Sequence, residues 1–310
     1  MIVALAGGVG AARFLDGLAR VIAPEELFIV GNTGDDVEIH GLHVSPDLDT
    51  VMYTLAGLSD PKRGWGLRGD TFRCLEALGR LGAENWFQLG DRDLATHIYR
   101  TRRLRCGAAL SAVTAELAAA LGVRAKIVPV TDGPLRTWIE VAEGALDFQT
   151  YFVRRHARDR VLGVRFEGRE HARPAPGVLE AIRGAAGVIV CPSNPIISIG
   201  PILAVPGIRE ALRDCRAPVA AVTPIVAGRA LKGPAAAMLE SLGMRASAAQ
   251  VAELYRDFVN AFVLDNRDAA SIPVIEALGM RALATNTIMK GAREKKALAR
   301  AALRALEQCA

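Results

Sequence analysis

Four aspartates lie within two short polar segments near the start of the chain. These segments are residues 32–36 (NTGDD) and 45–50 (SPDLDT). Carboxylates suit Mg²⁺, which takes hard oxygen ligands and is often held by one or two carboxylates together with substrate phosphates. The alternative is that Asp47 or Asp49 only caps a helix beginning near Thr50. We expect at least one of the four to bind a metal or a substrate.

A glycine-rich turn, residues 7–10 (GGVG), follows the first apolar segment and opens a predicted helix. Glycine lets backbone N–H groups approach a phosphate, and a helix N-terminus favours its negative charge. The alternative is a tight strand-to-helix turn without a ligand. The spacing departs from the dinucleotide-binding fingerprint, because Arg13 stands where a third Gly or Ala is required. The chain has no P-loop motif, so ATP hydrolysis of that type is not expected.

Three further polar segments lie next to predicted helices or strands later in the chain. Residues 90–97 (GDRDLATH) open a predicted helix on which His97 lies one turn after Asp93. Residues 192–200 (PSNPIISIG) follow an apolar strand, and their prolines restrict the backbone. Residues 223–233 follow the next strand and contain Lys232, a candidate phosphate contact. A solvated helix start is the alternative for residues 90–97 and for Lys232.

Short apolar segments alternate with helical periodicity, which predicts a mainly parallel sheet covered on both faces. Strands are predicted near residues 2–6, 27–30, 126–130, 137–141, 160–166, 187–191, 218–222, 261–264 and 281–284. We expect one Rossmann-like α/β/α domain over residues 1–310, with a mostly helical segment at about 50–121. Ligands of open α/β sheets bind at the carboxyl ends of the strands. The loops at 7–13, 31–36, 192–200 and 223–233 are therefore predicted to line one cleft.

Composition narrows the class of protein. The net charge is only +5, and 32 Arg against 6 Lys indicates a compositional bias more than a nucleic-acid surface. The chain contains no run of 18 apolar residues, which predicts no transmembrane helix. Met1–Ala6 lacks a basic flank, so it is interpreted as a strand and not as a signal peptide. Five cysteines without CxxC spacing are typical of a reducing cytoplasm.

At these residues the sequence resembles the 2-phospho-L-lactate transferase family of coenzyme F-420 biosynthesis. The matching blocks are 6–10 with Arg13, 31–36, 45–50, 89–97, 191–195, 198–203 and 232–234. They occur in the order found in the family and extend from residue 2 to about 290. Residues 151–176 match poorly, and no role is assigned to them.

The resemblance implies a reaction. The deazaflavin alcohol Fo would attack the β-phosphorus of a guanosine diphosphate-linked three-carbon acid, and GMP would leave. The acid could be of the 2-phospholactate, phosphoenolpyruvate or phosphoglycerate type. Mg²⁺ is the implied cofactor, and a cytoplasmic homodimer that binds neither nucleic acid nor membrane is expected. Phosphoryl transfer depends on positioning and charge neutralisation, which agrees with the acidic and glycine-rich segments.

The resemblance also assigns residues. The catalytic candidates are Asp47 and Asp49, and either is open as a base. The metal candidates are Asp35, Asp47 and Asp49. The Fo-binding candidates are Asp49, Thr50, Gln88, Asp91 and His97. The nucleotide and phosphate candidates are Gly8, Gly10, Arg13, Asn32, Ser193, Asn194, Ser198, Gly200 and Lys232.

Two other classes of function stay open. An NAD(P)-dependent oxidoreductase would use the glycine turn but needs an acidic residue at the end of the second strand. Asp35 and Asp36 come slightly late for that role. A non-catalytic regulator that binds nucleotide sugars would share the glycine turn, but it is not expected to carry both 45–50 and 89–97.

Overall fold

Seven parallel strands form the central sheet of the computed structural model, which describes residues 1–309. The strands are β1 (Ile2–Ala6), β2 (Leu27–Gly31), β3 (Val37–Ile39), β4 (Leu42–Val44), β5 (Lys126–Pro129), β6 (Arg136–Val141), β7 (Gly144–Asp147), β8 (Gly163–Glu167), β9 (Gly187–Val190), β10 (Val219–Val222), β11 (Ile225–Val226), β12 (Arg229–Ala230), β13 (Ala261–Asp265) and β14 (Arg281–Thr285). The central sheet has the order β14-β13-β10-β9-β1-β2-β5.

Helices cover both faces of this sheet. They are α1 (Gly8–Leu18), α2 (Pro46–Leu55), α3 (Arg73–Arg80), α4 (Asp93–Arg105), α5 (Leu110–Ala120), α6 (Val178–Arg183), α7 (Ile199–Ala204), α8 (Ile208–Arg213), α9 (Ala235–Ser241), α10 (Ala248–Leu254), α11 (Ile272–Glu276) and α12 (Ala292–Glu307). Short helical turns lie at Pro24–Glu26, Thr150–Arg154 and Asn266–Ser271. None of the helices within residues 1–309 is both long and apolar enough to cross a bilayer.

The two apolar cores follow from the alternation of side chains along each strand. In β1, Val3 and Leu5 pack in one core, together with residues of α6, α7, α8, α10 and α11. Ala4 and Ala6 pack on the opposite face, in a core shared with α1, α2, α5 and α12. The strands are buried on both faces, which is why they appear in the sequence as continuous apolar runs. The predicted three-layer Rossmann-like α/β/α fold is confirmed.

Two regions differ in detail from the sequence prediction. Predicted strands 137–141 and 160–166 correspond to β6 and β8, which lie in a separate antiparallel sheet where β6 pairs with β7 on one side and with β8 on the other. This small sheet encloses a third apolar core containing Ile139, Phe148 and Tyr151. The segment at about 50–121 carries helices α2 to α5, but residues 56–72 and 81–92 between them are not helical.

Candidate functional site

A cavity of about 800 Å³ opens at the carboxyl ends of the central strands. The loops after β1, β2, β9 and β10, which the sequence predicts to meet, all contribute to its lining. Predicted site residues at the cavity are Gly8, Gly10, Arg13, Asp35, Asp47, Asp49, Thr50, Gln88, His97, Ser193, Asn194, Ser198 and Lys232. The fold therefore brings together thirteen candidates that lie far apart in the chain.

Asp35 and Asp47 form an acidic pair on the cavity wall. Asp47 lies in the first turn of α2, where its Oδ2 accepts a hydrogen bond of 2.9 Å from Asn32 Nδ2. Burial raises the pKa of Asp47 to about 6. Burial and the charge of Asp47 hold the pKa of Asp35 well above its usual range, and Asp35 Oδ1 is buried without a hydrogen-bond partner. The fold thus gives neither carboxyl group a cationic side-chain partner, and burial favours their protonated forms when no cation is bound.

The acidic pair fits a Mg²⁺ ion that also binds a substrate. Within residues 1–309 no group of three or more His, Cys, Asp or Glu side chains is arranged to hold a metal alone. Mg²⁺ needs only one or two carboxylates when phosphates and water complete its coordination. The orphaned oxygen of Asp35 and the cavity-facing carboxylate of Asp47 supply two such ligands.

Asp49, a predicted metal ligand, is instead paired with an arginine. Its Oδ2 accepts a hydrogen bond of 3.0 Å from Nη1 of Arg100, and its Oδ1 is bound by Nη2 of the same side chain. The guanidinium compensates the charge of Asp49, so this carboxylate is a poorer metal ligand than the acidic pair. Asp49 still lines the cavity, beside Thr50.

His97 lies next to this ion pair and is also buried. Its Nδ1 is 3.3 Å from Nη1 of Arg100, and its Nε2 is 3.3 Å from Oδ1 of Asp93. Because a guanidinium only donates hydrogen bonds, Nδ1 is the acceptor in the contact with Arg100. Asp93 also accepts a hydrogen bond of 2.6 Å from the Tyr53 hydroxyl. His97 is therefore held in place by neighbours on α2 and α4.

Two positions of the glycine turn, Gly8 and Gly10, favour glycine for different reasons. Gly8 has φ +71°, a backbone conformation that residues other than glycine rarely adopt. A Cβ at Gly10 would come within 2.2 Å of the carbonyl oxygen of Pro192. The turn can therefore pack this closely against residues 192–200 only with glycine at position 10. It opens α1, whose first N–H groups lie at the cavity.

Residues 192–200 are held by their own side chains. Ser193 Oγ donates a 2.8 Å hydrogen bond to the carbonyl of Gly7, which ties this loop to the glycine turn. Asn194 Oδ1 accepts from the backbone N–H groups of Ile196 and Ile197. Only the Nδ2 group of Asn194 is left for a ligand, apart from a 3.6 Å contact with Met238 Sδ.

Three predicted contacts lie outside the cavity lining. Asn32 uses its Nδ2 to donate a hydrogen bond to Asp47, and its Oδ1 accepts a hydrogen bond from the N–H of Gly34. A Cβ at Gly200 would touch the ring of Phe166 at 3.0 Å, so this glycine serves packing. Asp91 accepts hydrogen bonds from Thr71 Oγ1 and from the first N–H groups of α3. Direct contact of Asn32, Gly200 and Asp91 with a ligand stays a prediction.

Positive charge borders the cavity near the glycine turn. Lys232 and Arg13 both line it, and burial followed by the charge of Arg13 lowers the pKa of Lys232. Lys232 Nζ donates a 3.2 Å hydrogen bond to the carbonyl of Arg63. The cavity lining thus contains two cationic side chains near the glycine turn, Arg13 and Lys232, as well as the acidic pair Asp35 and Asp47.

The sequence analysis missed four aromatic side chains that line the cavity, together called the aromatic wall: Trp65, Phe87, Phe148 and Phe152. The rings of Phe148 and Phe152 stack at 5.4 Å with an angle of 7° between their planes. Residues 287–290 and Gln149 were missed as well. No local motif marks these positions, because the fold brings them to the cavity from separate loops.

Asp47 makes the stability of the metal-free protein depend on pH. A carboxyl group with a raised folded pKa stabilises the fold below its unfolded pKa, and that contribution is lost as pH rises through the folded value. For Asp47 the loss falls between its ordinary value of 3.8 and about 6. The Asn side chain in Asp47→Asn has no carboxyl proton to lose. Its unfolding free energy is therefore expected to rise by about 2 kcal/mol relative to that of wild type between pH 4 and pH 7.

Urea unfolding of both proteins at the two pH values, without divalent cations, measures this difference. An advantage of Asp47→Asn that is equal at both pH values would contradict the assignment of the raised pKa.

Comparison with known proteins identifies the family. The family model described as 2-phospho-L-lactate transferase CofD matches residues 2–288. The chain belongs to the 2-phospho-L-lactate transferase CofD family. It is therefore a transferase, and the match includes the glycine turn, the acidic pair and residues 192–200.

Curated members of the CofD family carry two names. A 2-phospho-L-lactate transferase of Methanosarcina acetivorans is 42% identical over 95% of both chains. A phosphoenolpyruvate transferase of Streptomyces griseus is also 42% identical, over 99% of this chain and 98% of its own. A UPF0052 family protein of Bacillus halodurans has a similar fold, with a TM-score of 0.62, 16% identity, and coverage of 97% of this chain and 98% of its own.

Proposed function

We propose that this chain transfers a phosphorylated three-carbon acid from a guanosine diphosphate-linked donor to the primary hydroxyl of the deazaflavin Fo. GMP is released, and the product is a phosphodiester on the path to coenzyme F-420. The observation that carries the proposal is that one cavity is lined both by the cationic side chains Arg13 and Lys232 and by the acidic pair. CofD family membership supports the same reaction class. A cytoplasmic homodimer stays a prediction.

The glycine turn and the two cationic side chains suit the diphosphate of the donor. N–H groups at the start of α1 favour phosphate oxygens, because the helix dipole and the free donors act together. Arg13 and Lys232 add positive charge beside the turn. The hydroxyl groups of Ser193 and Ser198 and the Nδ2 of Asn194 complete a polar surface for the nucleoside.

The acidic pair would hold Mg²⁺ against the diphosphate. When bound, the ion supplies Lewis-acid stabilisation of charge on the phosphoryl oxygens. Asp35 and Asp47 would be its protein ligands, and Asn32 keeps Asp47 in place through its 2.9 Å hydrogen bond. Asp49 is left out of this site because the guanidinium of Arg100 already compensates its charge.

The aromatic part of the cavity lining suits the deazaflavin. The aromatic wall presents flat apolar surface on which a planar ring can stack. Asp49 and Thr50 follow Asp47 by two and three residues on α2 and line the cavity, as does Gln88. We infer that Asp49 accepts the hydrogen bond of the primary hydroxyl and orients it towards the donor, which is positioning and not covalent catalysis.

The oxidoreductase alternative is less well supported. It requires an acidic residue at the end of the second strand to bind a ribose hydroxyl. β2 ends at Gly31, and the next residue is Asn32, whose amide is engaged by Asp47 and Gly34. The regulator alternative leaves the buried acidic pair without a role.

A thermal-shift screen separates the three functions. Purified protein is heated with GDP, NADPH, a nucleotide sugar or Fo. The proposed function predicts stabilisation by GDP with Mg²⁺ and by Fo, but none by NADPH or the nucleotide sugar. Stabilisation by NADPH alone would favour the oxidoreductase, and by the nucleotide sugar alone the regulator.

Removal of divalent cations is expected to stop turnover. The acidic pair and the diphosphate repel each other unless a cation lies between them. GMP release should therefore cease in EDTA and return when Mg²⁺ is added in excess. Undiminished GMP release after thorough chelation would remove Mg²⁺ from the proposal.

Two substitutions at Asn194 separate its loop role from a ligand role. Asn194→Asp keeps the oxygen that accepts from Ile196 and Ile197 but loses the Nδ2 donor. If Nδ2 binds the nucleotide, Asn194→Asp should retain the wild-type melting temperature and lose about tenfold in GDP affinity. Calorimetric titration of GDP and Fo measures both affinities. Wild-type GDP affinity in Asn194→Asp, with a loss only in Asn194→Ala, would assign Asn194 to the loop alone.

A further inference from the structure

Arg100 is the largest fully buried side chain of the described residues, and it lies directly behind the cavity. It belongs to α4, and only 1% of its surface is exposed. Its two terminal nitrogens both contact Asp49 of α2, and Nη1 also donates to His97. Asp49 and His97 line the cavity, whereas Arg100 itself does not. Arg100 can therefore act on a bound molecule only through its neighbours.

We propose that Arg100 is a positioning residue that fixes the carboxylate of Asp49 towards the acceptor hydroxyl. This inference rests on the proposed function. A guanidinium that binds both oxygens of a carboxylate fixes its plane, since the two N–H groups form a rigid fork. Each oxygen of Asp49 keeps lone pairs that the fork does not use, and Asp49 borders the cavity. Asp49 is then a hydrogen-bond acceptor of fixed orientation.

The surroundings of Arg100 support a positive charge held for this purpose. Burial alone would lower the pKa of Arg100, but the charge and hydrogen bonds of Asp49 outweigh it and raise its pKa. His97 braces the other side of the fork, with its Nδ1 accepting from Nη1 at 3.3 Å. The ring of His97 is in turn confined by Asp93, which binds the Tyr53 hydroxyl.

A purely structural role explains the arrangement less well. A buried ion pair is often no more stabilising than apolar residues of the same volume, because both charges lose their hydration. Arg100 Nε is also buried without a hydrogen-bond partner. The contact between α2 and α4 carries both energetic costs, the lost hydration of the ion pair and the unpaired Nε. The terminal nitrogens of Arg100 bind Asp49, which lines the cavity. That combination favours positioning of Asp49 over simple joining of the two helices.

A double-mutant cycle tests the inference in the full-length protein. The variants are Asp49→Asn, Arg100→Met and the double variant, assayed with Fo and the guanosine diphosphate-linked acids. If Arg100 acts through Asp49, Arg100→Met should lower kcat about ten- to a hundredfold. The KM for the donor should stay within about twofold, because the donor site is untouched. In the Asp49→Asn background, Arg100→Met should cost little more, because its target is already changed.

Two further variants control for folding. Arg103→Met removes an arginine of the same helix that pairs with Glu116 away from the cavity, and should leave kcat unchanged. Arg100→Lys keeps the charge but not the fork, and is expected to lower kcat about fivefold with a near-native melting temperature. It replaces Arg100→Met in the cycle if the Met variant does not fold.

The outcomes separate this inference from the proposed function. Wild-type kcat in Arg100→Lys, or additive effects of the Asp49 and Arg100 substitutions, would overturn the positioning role while the transfer reaction stands. A wild-type protein that converts none of the donors with Fo would overturn the proposed function, and the role of Arg100 would fall with it.

Discussion

Replacing Asp47 by Asn is expected to lower kcat roughly a thousandfold while the chain remains folded. Asn is nearly isosteric with Asp and keeps an oxygen that can accept from Asn32, so the start of α2 is preserved. It lacks the negative charge that would hold Mg²⁺ beside the diphosphate. The loss should appear in kcat more than in KM for Fo, because the aromatic part of the cavity lining does not change.

Asp214→Asn is the matched control for this substitution. Asp214 is exposed at the end of α8, away from the cavity lining. The same change of charge there should leave kcat, KM and the response to Mg²⁺ at wild-type values. Asp35→Asn should behave like Asp47→Asn. An Asp47→Asn variant with wild-type kcat would show that the acidic pair takes no part in the reaction.

Adding one methyl group at Gly10 is expected to separate the glycine turn from residues 192–200. The new Cβ would overlap the carbonyl oxygen of Pro192 at 2.2 Å, so the backbone of one segment must move. Overpacking of this kind costs about 2 kcal/mol of unfolding free energy. Because the shift displaces both walls of the nucleotide site, GDP affinity should fall about tenfold or more.

Gly133→Ala is the comparison for Gly10→Ala. A Cβ at Gly133 meets only Thr131 Oγ1, at 3.6 Å, which is an ordinary contact. Its melting temperature and GDP affinity should therefore stay close to wild type. Calorimetry and thermal unfolding of both variants measure the two effects. Unchanged GDP affinity in a destabilised Gly10→Ala protein would place the nucleotide away from the glycine turn.

The sequence predicted the fold well where a signal was local. Apolar runs such as Val188–Val190 mark strands buried on both faces, and the glycine turn marks the start of α1. That four loops meet at one cavity could be predicted from the strands they follow, because the carboxyl ends of parallel strands lie at one edge of the sheet. The antiparallel pairing of β6 with β8 did not follow, because β7 and a helical turn separate these two strands in the sequence.

The roles of individual side chains were harder to predict. Asp47 and Asp49 are two residues apart and chemically identical, yet only Asp49 meets Arg100 of α4. That partner lies 51 positions away along the chain, and no spacing rule connects the two. Asp91 resembles a site residue in the sequence, but it holds the start of α3. Such distinctions arise from tertiary contacts and become visible only in the structure.

One assay tests the central claim most directly. Purified protein is incubated with Fo, Mg²⁺ and each of three guanosine diphosphate-linked acids, derived from 2-phospholactate, phosphoenolpyruvate and phosphoglycerate. Mass spectrometry then follows GMP and the deazaflavin product. The account predicts GMP in equal amount to a phosphodiester of Fo with at least one donor, and formation of both products about a thousandfold more slowly with the Asp47→Asn protein. Absence of any Fo phosphodiester with all three donors would contradict it.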